Sequence, residues 1–118
     1  MALLTSVQLR DLVVQALEDG KGQNILPLDV TSVTDITDFM IIVSGTSNRH
    51  VKALVDQVVV AAKSHDNPPL GVEGRETYEW VLLDVGDVLV HVMQTATREF
   101  YALERLWQPL PADSTTSN

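Results

Sequence analysis

The chain has 118 residues, of which 45% are hydrophobic, and contains no cysteine. This predicts one globular domain and excludes disulfides, thiolate metal sites and cysteine nucleophiles. A formal net charge of −8 disfavours nucleic acid as a partner and favours a basic protein surface, although acidity alone also keeps proteins soluble. No apolar run reaches membrane-spanning length and no signal segment is recognisable, so we expect a cytoplasmic protein.

The first two predicted elements are a helix and a strand. Residues 6–20 are amphipathic at helical spacing, with Ser6 as the expected N-cap and Gly20 as the expected end. Residues 25–30 predict a strand, and Pro27, which cannot donate to a ladder, predicts that this strand lies at an edge or a bulge.

A turn, a buried strand and a second helix follow. Residues 31–38 are polar, and the apolar run 39–44 predicts a central strand covered on both faces. The next helix begins after Thr46 or Ser47 as N-cap. Its apolar stripe is the most regular helical pattern in the chain and consists of Val51, Leu54, Val55, Val58, Val59 and Ala62.

The stretch from Trp80 to Met93 predicts a β-hairpin with two unequal faces. Gly86-Asp87 supplies the two-residue turn, because glycine tolerates a positive φ. Alternation then gives an aliphatic face that must belong to the core: Val81, Leu83, Val85, Val88, Val90 and Val92. The opposite, mixed face combines aromatic, aliphatic and polar groups, as partner-binding surfaces do: Trp80, Leu82, Asp84, Leu89, His91 and Met93.

The remaining segments complete the expected architecture. Residues 66–70 predict a loop, residues 71–73 a short fifth strand and residues 97–106 a third helix, with one side lined by Phe100, Leu103 and Trp107. Residues 1–107 are therefore expected to form one layered α/β domain, and residues 108–118 a disordered tail. This domain is expected to have a single mixed sheet of four to five strands with helices mainly on one side, which leaves the mixed face of the hairpin open.

Nucleotidyl transfer is one catalytic alternative. The turn at residues 45–47 is typical of a phosphate-holding loop after a strand, but this chemistry also needs two metal-binding carboxylates on one strand face. The nearest candidates, Asp84 and Asp87, flank the hairpin turn instead. The sequence therefore argues against this reaction.

A serine nucleophile with a histidine base is the other catalytic alternative. Ser44 or Ser47 would pair with His50 or His91, yet no nucleophile elbow and no orienting carboxylate accompany them. The histidines also lack metal-ligand spacing. We expect His50 to serve hydrogen bonding at a helix end and His91 to be a partly buried ring satisfied by a neighbour. No catalytic, metal-binding or cofactor-binding residue is predicted.

Four segments, in order and spacing, resemble the ribosomal silencing factor family (RsfS, iojap, YbeB): SGTSNRHVKALVDQVV, GVEGRE, EWVLLDVGDVLVHVM and REFYALERLW. The resemblance runs from about Val7 to Trp107. It implies a non-enzymatic repressor of translation that binds the large ribosomal subunit through its fourteenth protein and blocks joining of the small subunit when nutrients are short. It also implies a nucleotidyltransferase-like fold without catalytic carboxylates, and homodimers.

The mixed face supplies candidate contacts for such a partner. Trp80 is the expected main anchor, with Leu82 and Met93 as apolar contacts beside it. Asp84 and Asp87 are expected to pair with Arg or Lys of the partner. The expected rim residues are Glu73, Arg75 and Glu79. Trp80 alternatively packs against the third helix, as a core residue or as a dimer contact. The competing functions are a nucleotide-binding enzyme and a purely structural homo-oligomer.

Overall fold

The computed structural model describes residues 4–103 and Arg105. Three helices and five strands alternate in the order expected from the sequence, including the short additional strand. They are α1 (Ser6–Asp19), β1 (Gln23–Asp29), β2 (Phe39–Gly45), α2 (Asn48–Ser64), β3 (Gly71–Glu73), β4 (Trp80–Asp84), β5 (Val88–Gln94) and α3 (Thr95–Tyr101).

The five strands form one mixed sheet in the order β1-β2-β5-β4-β3, in which β2 and β5 are parallel and all other neighbours antiparallel. Every residue of the apolar strand β2 is buried, as its continuous run predicts. Pro27 lies in the edge strand β1, whose register is irregular between Gln23 and Leu26. A single mixed sheet with a proline-bearing edge is therefore confirmed.

The aliphatic face of the hairpin forms the main core. The Val85 N–H donates to the Val88 carbonyl at 3.0 Å, and Gly86 between them has a φ of +91°. All six side chains of the aliphatic face are at most 4% exposed. They pack against the apolar stripes of α1 and α2, which confirms that the helices cover mainly one face of the sheet.

Both long helices begin at a side-chain cap. The prediction of Ser6 was wrong by one residue: the Thr5 hydroxyl accepts from the Gln8 N–H, and the Gln8 side chain accepts from the Thr5 N–H. This reciprocal box satisfies two donors at the helix start, which explains why Thr5 takes the position. Of the two candidates for α2, Ser47 is the N-cap and accepts from the His50 N–H.

Helix α3 differs most from its prediction. It begins at Thr95 and ends at Tyr101, because the next residue, Ala102, has a left-handed backbone with a φ of +47°. Because the helix stops there, helical spacing no longer relates Phe100 to the residues beyond it, and Phe100 is 80% exposed instead of packed. Leu103 is buried as expected, whereas the expected roles of Trp107 and of the tail at residues 108–118 fall outside the described residues.

Candidate partner-binding site

On the mixed face, side chains toward the β3 edge of the sheet are less buried than Met93 on β5. Met93 on the middle strand β5 is 0% exposed, because it packs with Met40, Ile42 and Leu103 in a second, smaller core. Met93 cannot contact a partner from there, so its predicted role in docking was wrong. Leu82 on β4 has only the three-residue strand β3 beyond it and stays half-buried.

A groove of about 300 Å³ opens beside Trp80 on this face. We call it the Trp80 groove, and its lining residues are Glu73, Gly74, Trp80, Leu82 and His91. Gly74 has a φ of +99°, and a Cβ atom added there would lie 2.1 Å from the Trp80 carbonyl oxygen. Only glycine lets the chain leave β3 so close to β4, and this passage forms one wall of the groove.

The Trp80 ring is fixed from two sides. Its Nε1–H donates to Nδ1 of His91 at 2.9 Å, and the centroid of the Tyr101 ring lies 4.9 Å from that of Trp80. Burial lowers the pKa of His91 from 6.5 to about 4, so the imidazole is neutral at neutral pH and Nδ1 is free to accept. The expectation of a buried His91 satisfied by a neighbour is confirmed.

Two carboxylates accompany the apolar walls. A second depression of about 290 Å³ adjoins the Trp80 groove, since Glu73 and Leu82 line both. Its lining also includes Asp84, whose Oδ1 accepts from the Gly86 N–H at 3.0 Å. The two depressions form a continuous strip along β4, mainly apolar in the Trp80 groove and of mixed polarity in the second depression, with Glu73 and Asp84 in its walls.

Three further predicted residues lie outside both depressions. Asp87 is exposed in the hairpin turn, at the opposite end of β4 from Trp80, and its carbonyl accepts from the Thr37 hydroxyl at 2.7 Å. Arg75 and Glu79 are exposed in the segment between β3 and β4. The structure therefore brings together Trp80, Leu82, Glu73 and Asp84, and places the other three around them.

Sequence reasoning missed three residues of this surface. Gly74 lies in the segment GVEGRE but received no role of its own, although a glycine directly after a short strand often marks a close backbone approach. Leu70, which lines the second depression and is strongly exposed, was assigned to a loop. No sequence pattern predicts that Tyr101 contacts Trp80, because this contact depends on where α3 lies.

The residues of the rejected catalytic alternatives have structural partners. His50 Nδ1 accepts from the Thr46 N–H and its Nε2 donates to the Gly20 carbonyl, both at 2.9 Å. Ser44 is buried and accepts from Arg98 at 3.0 Å. In the described part of the chain, no three His, Cys, Asp or Glu residues group into a metal site, and no helix there is long and apolar enough to cross a membrane.

Comparisons with known proteins agree with one another. The family model described as "Ribosomal silencing factor during starvation" matches residues 4–118. A Chromobacterium violaceum protein named ribosomal silencing factor RsfS is 46% identical over 100 residues, which span 85% of this chain and 82% of that protein. A crystal structure from the same organism matches with a TM-score of 0.87 and 43% identity, covering 92% of both chains. The mouse protein named mitochondrial assembly of ribosomal large subunit protein 1 is 34% identical over 100 residues, 82% of this chain and 44% of its own length.

Proposed function

The chain belongs to the ribosomal silencing factor family, and we propose that it represses translation by occupying the large ribosomal subunit where the small subunit would join. The proposed contact is the fourteenth protein of the large subunit, which the family resemblance implies. The observation that carries the proposal is the half-exposed indole of Trp80, held by His91 at an apolar groove with a carboxylate in its wall.

Trp80 is suited to be the energetic centre of such an interface. Tryptophan is enriched among interface residues whose truncation costs about 2–4 kcal/mol. Its hydrogen bond to His91 and its contact with Tyr101 fix the ring before binding. A fixed anchor loses little rotamer entropy when a partner docks, so more of the contact energy appears as affinity.

The charges of the site favour a basic partner. Glu73 and Asp84 line the strip along β4, and the whole chain carries a formal net charge of −8. Complementary charge speeds diffusional encounter and orients the partner, while the apolar contacts determine the lifetime of the complex. Asp87, Arg75 and Glu79 then belong to the rim, where charges contribute less.

The proposed mode of action is steric and requires no catalytic step. A domain seated on the joining face of the large subunit excludes the small subunit by its volume. A cytoplasmic location, the absence of a cofactor and the formation of homodimers complete this proposal, and they follow from the composition and the family resemblance discussed above.

Sedimentation through a sucrose gradient tests the proposal. We expect the protein to travel with free large subunits and to be missing from assembled ribosomes, whereas equal amounts on both would contradict steric exclusion. The Trp80→Ala variant should bind large subunits about 30- to 1,000-fold more weakly, from its expected 2–4 kcal/mol.

Controls separate binding from folding. Val60→Ala alters an exposed apolar residue on α2, in the helical layer behind the sheet, and should bind like the parent protein. If Trp80→Ala loses most of its thermal stability, Trp80 is a core residue. The surface variant Glu73→Lys then tests whether the groove is the binding site, because reversing an exposed charge there should weaken binding without unfolding the domain.

A further inference from the structure

We infer that the docking surface continues from the Trp80 groove onto α3, where a row of three aromatic rings accepts an Arg or Lys side chain of the partner. The row consists of Trp80, Tyr101 and Phe100. This inference rests on the proposed function and deepens it by naming a second contact, formed by a helix to which the sequence analysis gave no role in binding.

The three rings touch in sequence and become more exposed outward. The ring centroids of Trp80 and Tyr101 are 4.9 Å apart, and those of Tyr101 and Phe100 are also 4.9 Å apart in an edge-to-face arrangement. Tyr101 is 54% exposed and Phe100 80% exposed. Contiguous exposed aromatic surface is typical of an interaction site, and this one is continuous with the Trp80 groove.

Helix α3 is held in place by contacts with the sheet. It has seven residues and no side-chain hydrogen bond at its N-cap, so it would not be stable alone. Arg98 Nη1 donates to the Asn24 carbonyl oxygen at 2.7 Å and to Ser44 Oγ at 3.0 Å, which ties α3 to β1 and β2. Leu103 is buried just beyond the helix, so the aromatic row is presented on a fixed support.

The chemistry of the row fits a cation with an aliphatic stem. Aromatic faces attract guanidinium and ammonium groups, and a long basic side chain can lie along several rings. Exposed glutamates, Glu79 and Glu99, directly precede Trp80 and Phe100 in the chain. The protein already contains this kind of pair, because the guanidinium carbon of Arg10 lies 4.9 Å from the centroid of the Phe39 ring.

A basic partner is favoured over a second copy or RNA for the same electrostatic reason. The row is flanked by Glu79 and Glu99 on a chain with a formal net charge of −8, so at this row an acidic second copy or a phosphate backbone is disfavoured, and the proposed homodimer would use another surface. A basic protein is attracted by the same field. The occupant of the row is therefore assigned to the protein partner that fills the Trp80 groove.

Substitutions at Phe100 test the inference without disturbing the core. Phe100→Ala removes the ring, Phe100→Leu keeps apolar bulk without an aromatic face, and Phe100→Tyr keeps the face. Affinity is measured with purified large subunits and with the isolated fourteenth protein. We expect Phe100→Ala and Phe100→Leu to weaken binding about 5- to 30-fold, because each loses a desolvated cation–π contact. The affinity of Phe100→Tyr should stay within about twofold of the parent.

Each alternative has its own outcome. If Phe100→Ala binds like the parent while Trp80→Ala fails, the inference is wrong and the proposed function stands; if the parent protein binds neither preparation, both are wrong. If Phe100→Leu binds with the same affinity as the parent, the contact at this position is apolar and involves no cation, and the inference is wrong. A change in molar mass by light scattering would assign the row to a second copy, and weakening with subunits alone would assign it to ribosomal RNA. Val60→Ala is the matched surface control.

Discussion

The two faces of the hairpin differ although the same strands build both. Leu82 and Leu83 are neighbours on β4, yet Leu83 is fully buried under the helices and Leu82 is half-exposed beside the Trp80 groove. Alternation sends them to opposite sides of the sheet. On the aliphatic face, two long helices cover every strand from β2 to β4, so all of these side chains are buried and all of them are aliphatic.

The mixed face has only a partial second layer. Its small core covers Met93 in the middle of the sheet, reaches Trp80 on β4 only in part, and does not include Leu82 or β3. The side chains left accessible are therefore those nearest the short edge strand, and the carboxylates and the tryptophan are found there. The aliphatic face should therefore supply most of the stability, whereas the binding proposed above uses the accessible part of the mixed face, so substitutions should separate the two.

The adjacent leucines give the largest expected effect. Leu83→Ala should lower the free energy of unfolding by about 3 kcal/mol, because it leaves a cavity between the sheet and the helices. Leu82→Ala should lower it by only about 1 kcal/mol, since much of that side chain already contacts solvent. Urea unfolding measures both.

Binding should reverse this ranking. At a temperature where both variants are folded, Leu82→Ala should bind large subunits more weakly and Leu83→Ala should bind them normally. Equal losses of stability in the two variants would mean that the mixed face is as much core as the aliphatic face, and the separation of roles would not hold.

Acid should weaken the mixed face through His91. Its folded-state pKa of about 4 lies below the ordinary 6.5, so the neutral ring stabilises the fold fully above pH 6.5. As the pH falls toward 4, the unfolded chain binds the proton first and this stability is lost. Between pH 7 and pH 5 the loss from this residue should be about 2 kcal/mol.

A variant without the titrating ring isolates this effect. His91→Gln keeps an acceptor for the Trp80 Nε1–H and does not ionise, so its stability should vary less with pH than that of the parent by the same amount. Urea unfolding at several pH values compares the two. Parallel pH profiles would show that His91 is protonated as easily in the folded protein as in the unfolded chain.

The sequence predicted whatever depends on local pattern. Alternation across Gly86-Asp87 placed all six residues of the aliphatic face correctly, and the apolar run of β2 identified a buried strand. It failed where the answer depends on how far a covering layer extends. Met93 and Leu82 have similar apolar side chains on the same face, but the small second core includes Met93 and not Leu82, and no local pattern in the sequence indicates this difference.

Helix α3 shows the same limit. Helical spacing predicts that Phe100 and Leu103 lie on one side of the same helix, but the left-handed backbone at Ala102 ends the helix between them. No glycine marks this end, so the sequence offers no signal for it. The contact between Tyr101 and Trp80 follows from that end and from the anchoring of Arg98 to the sheet. Both are tertiary effects.

The smallest expected effect concerns charge at the mixed face. Glu73→Gln removes a carboxylate from the wall of the Trp80 groove while keeping its shape. Because an exposed charge contributes about 0.5 kcal/mol, affinity for the large subunit should fall only two- to threefold. The loss should appear mainly in the association rate, at low ionic strength, and should vanish at high ionic strength, where salt screens the attraction. Glu18→Gln makes the same change on an exposed position of α1 and makes the net charge less negative by the same one unit. If both variants slow association alike, the overall charge of the protein steers the partner and the mixed face has no special electrostatic role.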